Sequence, residues 1–425
     1  MRVRRSIPVL FPALLAALAF FVLRHDHTAS SRAIPVARIL GETGDDAGYA
    51  RADKMREFVF PADHGAHPEF RNEWWYFTGN LRTAEGRRFG YQLTFFRFAL
   101  SPQTTEPLVE AIRGEPVEPR TALMPERVGV PHAPFDRLRA NGSFDQSVNA
   151  QSVWRTNQLY LAHFALTDVE GKRFHAFERS SRAALGLSGA KTEPFAVWID
   201  DWSARSERGA FAPRLRAAAE QVALDLQLIQ GKPVVLQGDK GLSKKGQQAG
   251  NASYYYSLTR MPTTGTITVD GSVFKVEGTS WMDREWSTSA LEPDQVGWDW
   301  FALQLDDGHE LMFYRLRRRD GSVDPNSASV FVGPDGTTLP LGHNQLIIDT
   351  LTQWESSRSD VRYPAQWRLS VPTAGLNVEI EPLLEAQELD LSVRYWEGAV
   401  RVHGRRQGEP ITGVGYVELV GYEKQ

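Results

Sequence analysis

The stretch Ser280-Trp281-Met282-Asp283-Arg284-Glu285-Trp286-Ser287 places two acids and one base between two tryptophans. Side chains alternate along a β-strand, so Trp281, Asp283 and Glu285 would face one side and the intervening Arg284 the other. Met282 and Trp286 would accompany Arg284. Two carboxyl groups roughly 6.5 to 7 Å apart would then share one aromatic face. Because nearby like charges disfavour joint ionisation, one of them is a candidate proton donor near neutral pH.

The rest of the chain repeats this alternation around glycine-containing turns, which predicts an antiparallel β protein. The clearest hairpins run from Trp74 to Phe98, Leu159 to Arg179, Thr266 to Gly278, and Trp300 to Arg317. Helical periodicity is scarce, and the best candidate helix runs from Leu215 to Ile229. The chain is therefore predicted to be all-β.

Two segments resemble each other, Trp74 to Arg97 and Trp298 to Arg315, because each is an aromatic strand, a polar turn and an apolar strand ending in arginine. This hint of two related β domains agrees with a length of 425 residues. A polar, glycine-containing stretch at 238–251 is the expected junction, which gives domains at 56–245 and 251–425. The proline-rich residues 101–152 are expected to form a mobile insertion in the first domain.

The N-terminus has the layout of an export signal. Arg2, Arg4 and Arg5 precede an uncharged segment from Ile7 to Leu23. Residues 1–33 are expected to be either a cleaved signal or an N-terminal membrane anchor, which would give membrane contact if uncleaved. The positive-inside rule then predicts an exported chain, either periplasmic or attached to the outer face of the inner membrane.

Composition removes several classes of function. The chain has no cysteine, which excludes disulfides, thiolate metal sites and cysteine nucleophiles. A net charge of -4 argues against nucleic acid as a partner. The histidines lack ligand spacing and no Gly-x-Ser-x-Gly elbow or phosphate-binding glycine motif occurs, so neither a metal nor a cofactor is predicted.

Separated motifs in one order resemble the AttH family, which groups secreted lipocalin-like proteins with the carotenoid 1,2-hydratases. The motifs are Asn72-Glu73-Trp74-Trp75-Tyr76 with Gly79, Gly90 to Arg97, Asp200-Asp201-Trp202-Ser203, Ser280 to Ser287, Gly297 to Phe301, Tyr395-Trp396-Glu397-Gly398, and Gly413 to Leu419. The resemblance implies two lipocalin-like antiparallel β-barrel domains in tandem, the first of hydratase type.

The resemblance also implies a chemistry. Hydration of an isoprenoid double bond begins with protonation, which requires a carboxylic acid, an apolar cavity and aromatic faces near the cation. The hydratases' candidate acid corresponds to Asp283. Glu285 would raise the pKa of Asp283 or position water, and Trp281 and Trp286 would stabilise positive charge. If Arg284 turned toward Asp283, the carboxylate would be ionised and the acid role would fail.

Five other aromatic residues are candidates for ligand binding, with core packing as the alternative: Trp74, Trp75, Tyr76, Trp298 and Trp300. Glu73 is expected to pair with Arg97. A purely structural role for the acids and Arg284, as ion pairs where the barrels meet, remains the competing interpretation.

Two functions follow from these residues. The first is an exported lipocalin-like protein that binds an apolar isoprenoid or lipid-like ligand, with hydro-lyase activity of the carotenoid 1,2-hydratase type. The second is a non-enzymatic lipid carrier or accessory protein of an envelope ABC transporter. In both, the partner is an apolar small molecule.

Overall fold

The computed structural model describes residues 34–35, 46–102, 156–288 and 291–423. The predicted export signal or anchor at 1–33 lies outside these ranges, as does the predicted insertion apart from residues 101–102. Within the described ranges, no helix has both the length and the apolar character needed to cross a membrane. Their helical content is two short 3-10 turns, Ala62–His64 and Pro372–Ala374.

Fourteen strands precede residue 288 in the described part of the chain. In chain order they are β1 (Ile34–Pro35), β2 (Asn72–Arg82), β3 (Arg88–Ala99), β4 (Gln158–Asp168), β5 (Arg173–Arg182), β6 (Ser188–Lys191), β7 (Ala196–Ile199), β8 (Trp202–Arg205), β9 (Arg214–Ala219), β10 (Val222–Leu228), β11 (Val235–Leu236), β12 (Leu242–Lys244), β13 (Ala252–Val269) and β14 (Ser272–Ser287).

The later strands follow in the range 295–419. They are β15 (Gln295–Leu305), β16 (Glu310–Arg318), β17 (Ala328–Val332), β18 (Thr338–Gly342), β19 (Ile347–Glu355), β20 (Arg362–Val371), β21 (Leu376–Pro382), β22 (Glu388–Asp390), β23 (Val393–Arg406) and β24 (Glu409–Leu419).

These strands form two curled sheets. The N-terminal sheet has the order β5-β4-β3-β2-β14-β13-β10-β9-β8-β7-β6, and β11 and β12 also pair with β13. The C-terminal sheet has the order β18-β17-β16-β15-β24-β23-β21-β20-β19, and β1 and β22 also pair with β23. Among the described strands, pairing is antiparallel except between β1 and β23. The predicted all-β class with two lipocalin-like antiparallel barrels is confirmed.

The four predicted hairpins are present as β2-β3, β4-β5, β13-β14 and β15-β16. In the β13-β14 turn, Asp270 and Gly271 have φ of 50° and 77°, the left-handed conformation that tight hairpin turns need. The predicted helix from Leu215 to Ile229 is wrong. That segment is the hairpin β9-β10, and its apolar residues fall on the inward faces of two short strands.

The sheets divide the chain at a different place from the predicted junction. Both β13 and β14 belong to the N-terminal sheet, so the change of sheet occurs between Ser287 and Gln295 instead of at 238–251. The polar stretch is a connection within the N-terminal sheet, which leads through β12 into β13. This correction moves Asp283 from the second predicted domain onto the first sheet.

Each barrel interior is filled by its own side chains. Trp75, Phe77 and Phe164 belong to the N-terminal core, whereas Phe301 and Trp367 belong to the C-terminal core. A third apolar cluster, which includes Tyr76, Trp281, Trp300 and Tyr314, joins the two sheets. Since both barrel interiors are packed, we expect space for a ligand between the barrels instead.

A buried ionic cluster of Glu310, Lys232 and Arg260, which we call the latch, also joins the two sheets. The Glu310 side chain on β16 is fully buried and accepts from Lys232 Nζ at 2.7 Å and Arg260 Nε at 2.5 Å. Lys232 also donates to the carbonyls of Gly308 and Gly333. The latch fixes the N-terminal sheet and its connections against one end of the C-terminal hairpin.

Removing the latch carboxylate should destabilise the fold. Glu310→Ala leaves the nearly buried Lys232 cation without its counter-charge, so we expect a loss of about 3 to 5 kcal/mol in unfolding free energy. Urea denaturation followed by tryptophan fluorescence measures the loss. The matched control is Glu379→Ala, which breaks an exposed pair with Arg368 and should cost at most about 1 kcal/mol. Equal losses in both variants would contradict the role of the latch.

Candidate functional site

A cavity of about 150 Å³ lies between the two sheets. Both sheets and two connecting segments supply its walls. The lining residues are Asn72, Trp74, Tyr76, Gln92, Phe96, Phe98, Leu161, His163, Lys245, Tyr255, Asp283, Glu285, Ser287, Leu291, Trp298, Trp300, Tyr314, Leu316, Val393, Tyr395 and Glu418.

Strand register explains the wall that the N-terminal sheet supplies. Directly paired residues share a face, and one row across the sheet is polar: Ser257, Asp283, Tyr76, Thr94 and His163. The next row on the same face is mostly aromatic or apolar: Tyr255, Glu285, Trp74, Phe96 and Leu161. The sequence predicted that Asp283 and Glu285 share a face, and the register agrees.

The C-terminal sheet supplies the opposite wall by the same rule. Its facing row is Tyr314, Trp300, Glu418 and Glu397 on four adjacent strands. Trp300 packs edge-on against Tyr76 of the first sheet, with ring centroids 5.1 Å apart. The two similar aromatic segments in the sequence therefore meet across one cavity.

The cavity changes character from its rim to its floor. Most of the partly exposed lining residues are apolar: Trp74, Phe96, Phe98, Leu161, Leu291 and Trp298. Asp283, Tyr255 and His163 are buried. Lys245 and Glu418 are the partly exposed charged residues of the lining. An apolar molecule would therefore meet mostly hydrophobic contacts at the rim, with Asp283 buried behind them.

Within the part of the chain that the structure describes, three donors bind the Asp283 carboxyl and no cation contacts it. Ser257 Oγ and Trp281 Nε1 donate to its Oδ1 at 2.5 and 2.7 Å, and the Tyr255 hydroxyl donates to its Oδ2. Burial raises the pKa of Asp283 to about 7, and the neighbouring Glu285 adds to the rise against those hydrogen bonds. A substantial fraction of the carboxyl is thus protonated at neutral pH.

Glu285 has a different environment from Asp283. Lys245 Nζ lies 3.1 Å from its carboxylate, and Ser253 Oγ also donates to it. Burial disfavours the Lys245 charge, but Glu285 and Tyr314 raise the pKa of Lys245 above its ordinary value. The two predicted acids therefore differ in their partners. Glu285 is paired with Lys245, whereas no cation among the described residues is paired with Asp283.

Arg284 points away from the cavity. It reaches Glu73 on the opposite face of the sheet, where Arg97 binds the same carboxylate. Burial opposes ionisation of Glu73, but Arg97 and Arg284 hold its pKa well below its ordinary value. The predicted Glu73-Arg97 pair is present, and the orientation of Arg284 leaves the proposed acid free of a guanidinium partner.

The candidate aromatic residues divide between the two faces. Trp74, Tyr76, Trp298 and Trp300 line the cavity, whereas Trp281 lies beside it and donates to Asp283. Trp75 and Trp286 lie on the far face. Trp75 is in the N-terminal core, and Trp286 stacks on His67 at 3.7 Å. Alternation sends these two away from the site, so they do not line the cavity.

A family model described as AttH-like matches residues 51–115 and 129–422. The chain belongs to the AttH-like family. A Nitrosomonas europaea protein assigned to AttH has a solved structure 32% identical to this chain, with a TM-score of 0.69. The match covers 88% of this chain and 99% of that one.

Kievitone hydratase from Nectria haematococca is similar at 15% identity, with a TM-score of 0.60. That match covers 88% of the AttH-like chain and 98% of the hydratase, and at this identity it shows a shared fold. No curated protein matches the sequence.

Several site residues of this AttH-like chain were not identified as candidates from its sequence. Lys245 and His163 reach the cavity from distant parts of the chain, and no spacing links them to Asp283. Tyr255 lies on the strand paired with that of Asp283, so extension of the predicted hairpin from Thr266 to Gly278 was its signal. Tyr395 lies in the motif from Tyr395 to Gly398 that carried part of the family resemblance. Glu418 is the fifth. It lies in the motif from Gly413 to Leu419 that carried part of the family resemblance, which was its one available signal.

The Tyr255 hydrogen bond should control the acidity of Asp283. Tyr255→Phe removes a donor that favours the carboxylate, so the pKa of Asp283 should rise above about 7. Infrared titration of isotopically labelled aspartate measures the change. Tyr254→Phe is the matched control, because its hydroxyl donates to the Lys54 carbonyl on the other face. An unchanged or lowered pKa in Tyr255→Phe would contradict this arrangement.

Proposed function

We propose that this AttH-like protein is a hydro-lyase of the hydratase type, which adds water to a double bond of an apolar isoprenoid or lipid-like molecule. The observation that carries the proposal is the Asp283 carboxyl, which is buried at an aromatic cavity and has no cationic partner among the described residues. A protonated carboxyl in an apolar site is the group that alkene protonation requires.

The first step transfers the Asp283 proton to one alkene carbon. The π electrons form the new C–H bond, the other carbon becomes a tertiary carbocation, and Asp283 becomes a carboxylate. Ser257, Trp281 and Tyr255 donate to that carboxylate and stabilise the charge as it develops. The hydrogen bonds that oppose protonation in the resting site therefore favour proton release.

Aromatic side chains would stabilise the cation. Trp74, Tyr76 and Trp300 line the cavity beside Asp283, and aromatic faces attract positive charge. Trp300 Nε1 is 3.1 Å from the Tyr255 hydroxyl, which fixes the indole orientation. Water then forms a C–O bond with the cation and releases one proton, which completes the addition of one water molecule.

The similar fold of kievitone hydratase supports the reaction class, since its name assigns that protein a hydration of kievitone. The N-terminal basic and apolar segment supports export of the present chain to the periplasm or to the outer face of the inner membrane. Membrane attachment would place the apolar cavity rim close to a supply of lipid-like substrate.

The apolar rim favours a second candidate function, a non-enzymatic lipid carrier that serves an envelope ABC transporter. A carrier needs the rim but not a titrating carboxyl at the floor. The two functions therefore differ in what they require of Asp283.

Substitution of the proposed acid tests the function. The protein is incubated with lycopene, squalene and geraniol in heavy-oxygen water, and labelled tertiary alcohol is measured by mass spectrometry. The wild type should form alcohol, and Asp283→Asn should reduce the rate at least about a hundredfold while it retains bound isoprenoid.

Asp349→Asn, on the exposed strand β19, is the matched control and should keep the wild-type rate. Circular dichroism checks the fold of both variants. Labelled alcohol at the wild-type rate from Asp283→Asn would contradict acid catalysis. Bound isoprenoid without product from the wild type would favour the carrier.

A further inference from the structure

A second carboxyl group faces Asp283 from the other wall of the cavity. Glu418 on β24 lines the cavity and accepts from Trp298 Nε1 at 3.2 Å. It comes from the C-terminal sheet, whereas Asp283 and Glu285 come from the N-terminal sheet. A molecule bound in the cavity would therefore have carboxyl groups on two sides.

Glu418 has a buried carboxyl neighbour on its own sheet. It is the direct cross-strand partner of Glu397 on β23, so the two side chains lie on one face. Glu397 is fully buried and accepts from the Tyr76 hydroxyl. Two ionised carboxylates side by side in such a place would be strongly unfavourable.

Glu397 is therefore the member of the pair that holds a proton more tightly. Burial raises the pKa of Glu397 well above its ordinary value, and the Glu418 charge adds to the rise. Burial also raises the pKa of Glu418, to about 7, against the Trp298 hydrogen bond and with Asp283 and Glu285 adding to the rise. Glu418 is thus the member of the pair that titrates near neutral pH.

Charged or titratable groups around Glu418 come from several elements, and His163 on β4 is one of them, hydrogen-bonded to Tyr395 and Glu178. Asp283 and Glu285 face it from β14, Glu397 lies beside it on β23, and Lys245 reaches the cavity from the loop before β13. Lys245 is bound to Glu285 and stacks on Tyr314 at 4.1 Å. Lys245 is thus engaged elsewhere, so Glu418 has no cationic partner within the described ranges of the chain.

We propose that Glu418 is a second catalytic residue, which accepts a proton from the water that attacks the substrate cation. This rests on the proposed hydratase function. Asp283 gives its proton to carbon on one side, water attacks from the other, and one water O–H bond breaks as its proton passes to the Glu418 carboxylate. The product leaves Asp283 ionised and Glu418 protonated, and proton transfer between them restores the starting state.

The rate of hydration should depend on pH through both carboxyl groups. Hydration requires protonated Asp283 and ionised Glu418, so kcat/KM, which reports the groups of the free protein, should follow a bell with both limbs near pH 7. Glu418→Gln removes the base, so kcat should fall at least about a hundredfold and the acidic limb should disappear. The alkaline limb should move to lower pH, because removal of a like charge lowers the pKa of Asp283.

Kinetics with lycopene, squalene and geraniol test the assignment. Glu418→Asp keeps a carboxyl and should retain both limbs at a reduced rate, and it replaces Glu418→Gln if that variant does not fold. Glu409→Gln, exposed on the same strand, is the control and should behave as the wild type.

A preserved acidic limb in Glu418→Gln, or its loss in Glu418→Asp, would overturn the assignment. If Asp283→Asn alone loses turnover, the hydratase function survives without this role for Glu418. Full turnover in Asp283→Asn would refute the hydratase function itself.

Discussion

Alternation of side chains at Asp283-Arg284-Glu285 is the constraint on which the site depends. One face of the strand receives two carboxyl groups, and the other receives the guanidinium that would neutralise them. A register slip of one residue would exchange the faces and place Arg284 in the cavity. The buried cluster of Arg284, Glu73 and Arg97 prevents that slip, because it fixes β14 against β2 and β3 by ion pairs on the far face.

Two buried carboxyl groups, Glu73 bound to Arg284 on one face of the sheet and Asp283 on the other, have opposite effects on folding stability as pH changes. Glu73 has a lowered pKa in the folded state, so its contribution is present above its unfolded value and is lost in acid. Asp283 has a raised pKa in the folded state, so its contribution to stability is present at low pH and is lost as pH rises from about 4 through about 7. The structural ion pairs thus offset a destabilising carboxyl that is maintained at the cavity.

The position of the cavity follows from the packing of both barrels. Trp75 and Phe164 fill the N-terminal interior, and Trp367 fills the C-terminal one, so the interiors are cores. The junction is held by the latch at Glu310 and by polar contacts such as Tyr76 to Glu397. A site at the junction can receive acids from two sheets, which a single strand pattern cannot provide.

Local patterns explain what could be predicted from the sequence. Period-two alternation identified the four hairpins, the shared face of Asp283 and Glu285, and the Glu73-Arg97 pair. The same rule placed Trp75 with Glu73 and Trp286 with Arg284, away from the acids. The helix predicted from Leu215 to Ile229 was wrong because two short strands can place apolar residues at nearly helical spacing.

Other features depend on contacts between distant segments. The change of sheet near Ser287 is set by the pairing of β13 with β10, which composition at 238–251 does not reveal. Glu418 reaches the site only through the docking of the two sheets, whereas His163 and Lys245 belong to the N-terminal sheet and its connections. Burial at the junction raises the pKa of Glu418, with Asp283 and Glu285 from the other sheet adding to the rise, and no sequence spacing encodes this environment.

The proposed reaction requires that a ligand bind between the barrels with its reactive carbon between Asp283 and Glu418. A crystal structure of the protein with linalool, a tertiary isoprenoid alcohol that mimics the product, tests it most directly. We expect linalool in the cavity, with its hydroxyl within hydrogen-bond distance of one of these carboxyl groups and its chain toward Trp74 and Phe98. Linalool inside either barrel, or on the surface with the cavity unoccupied, would contradict it.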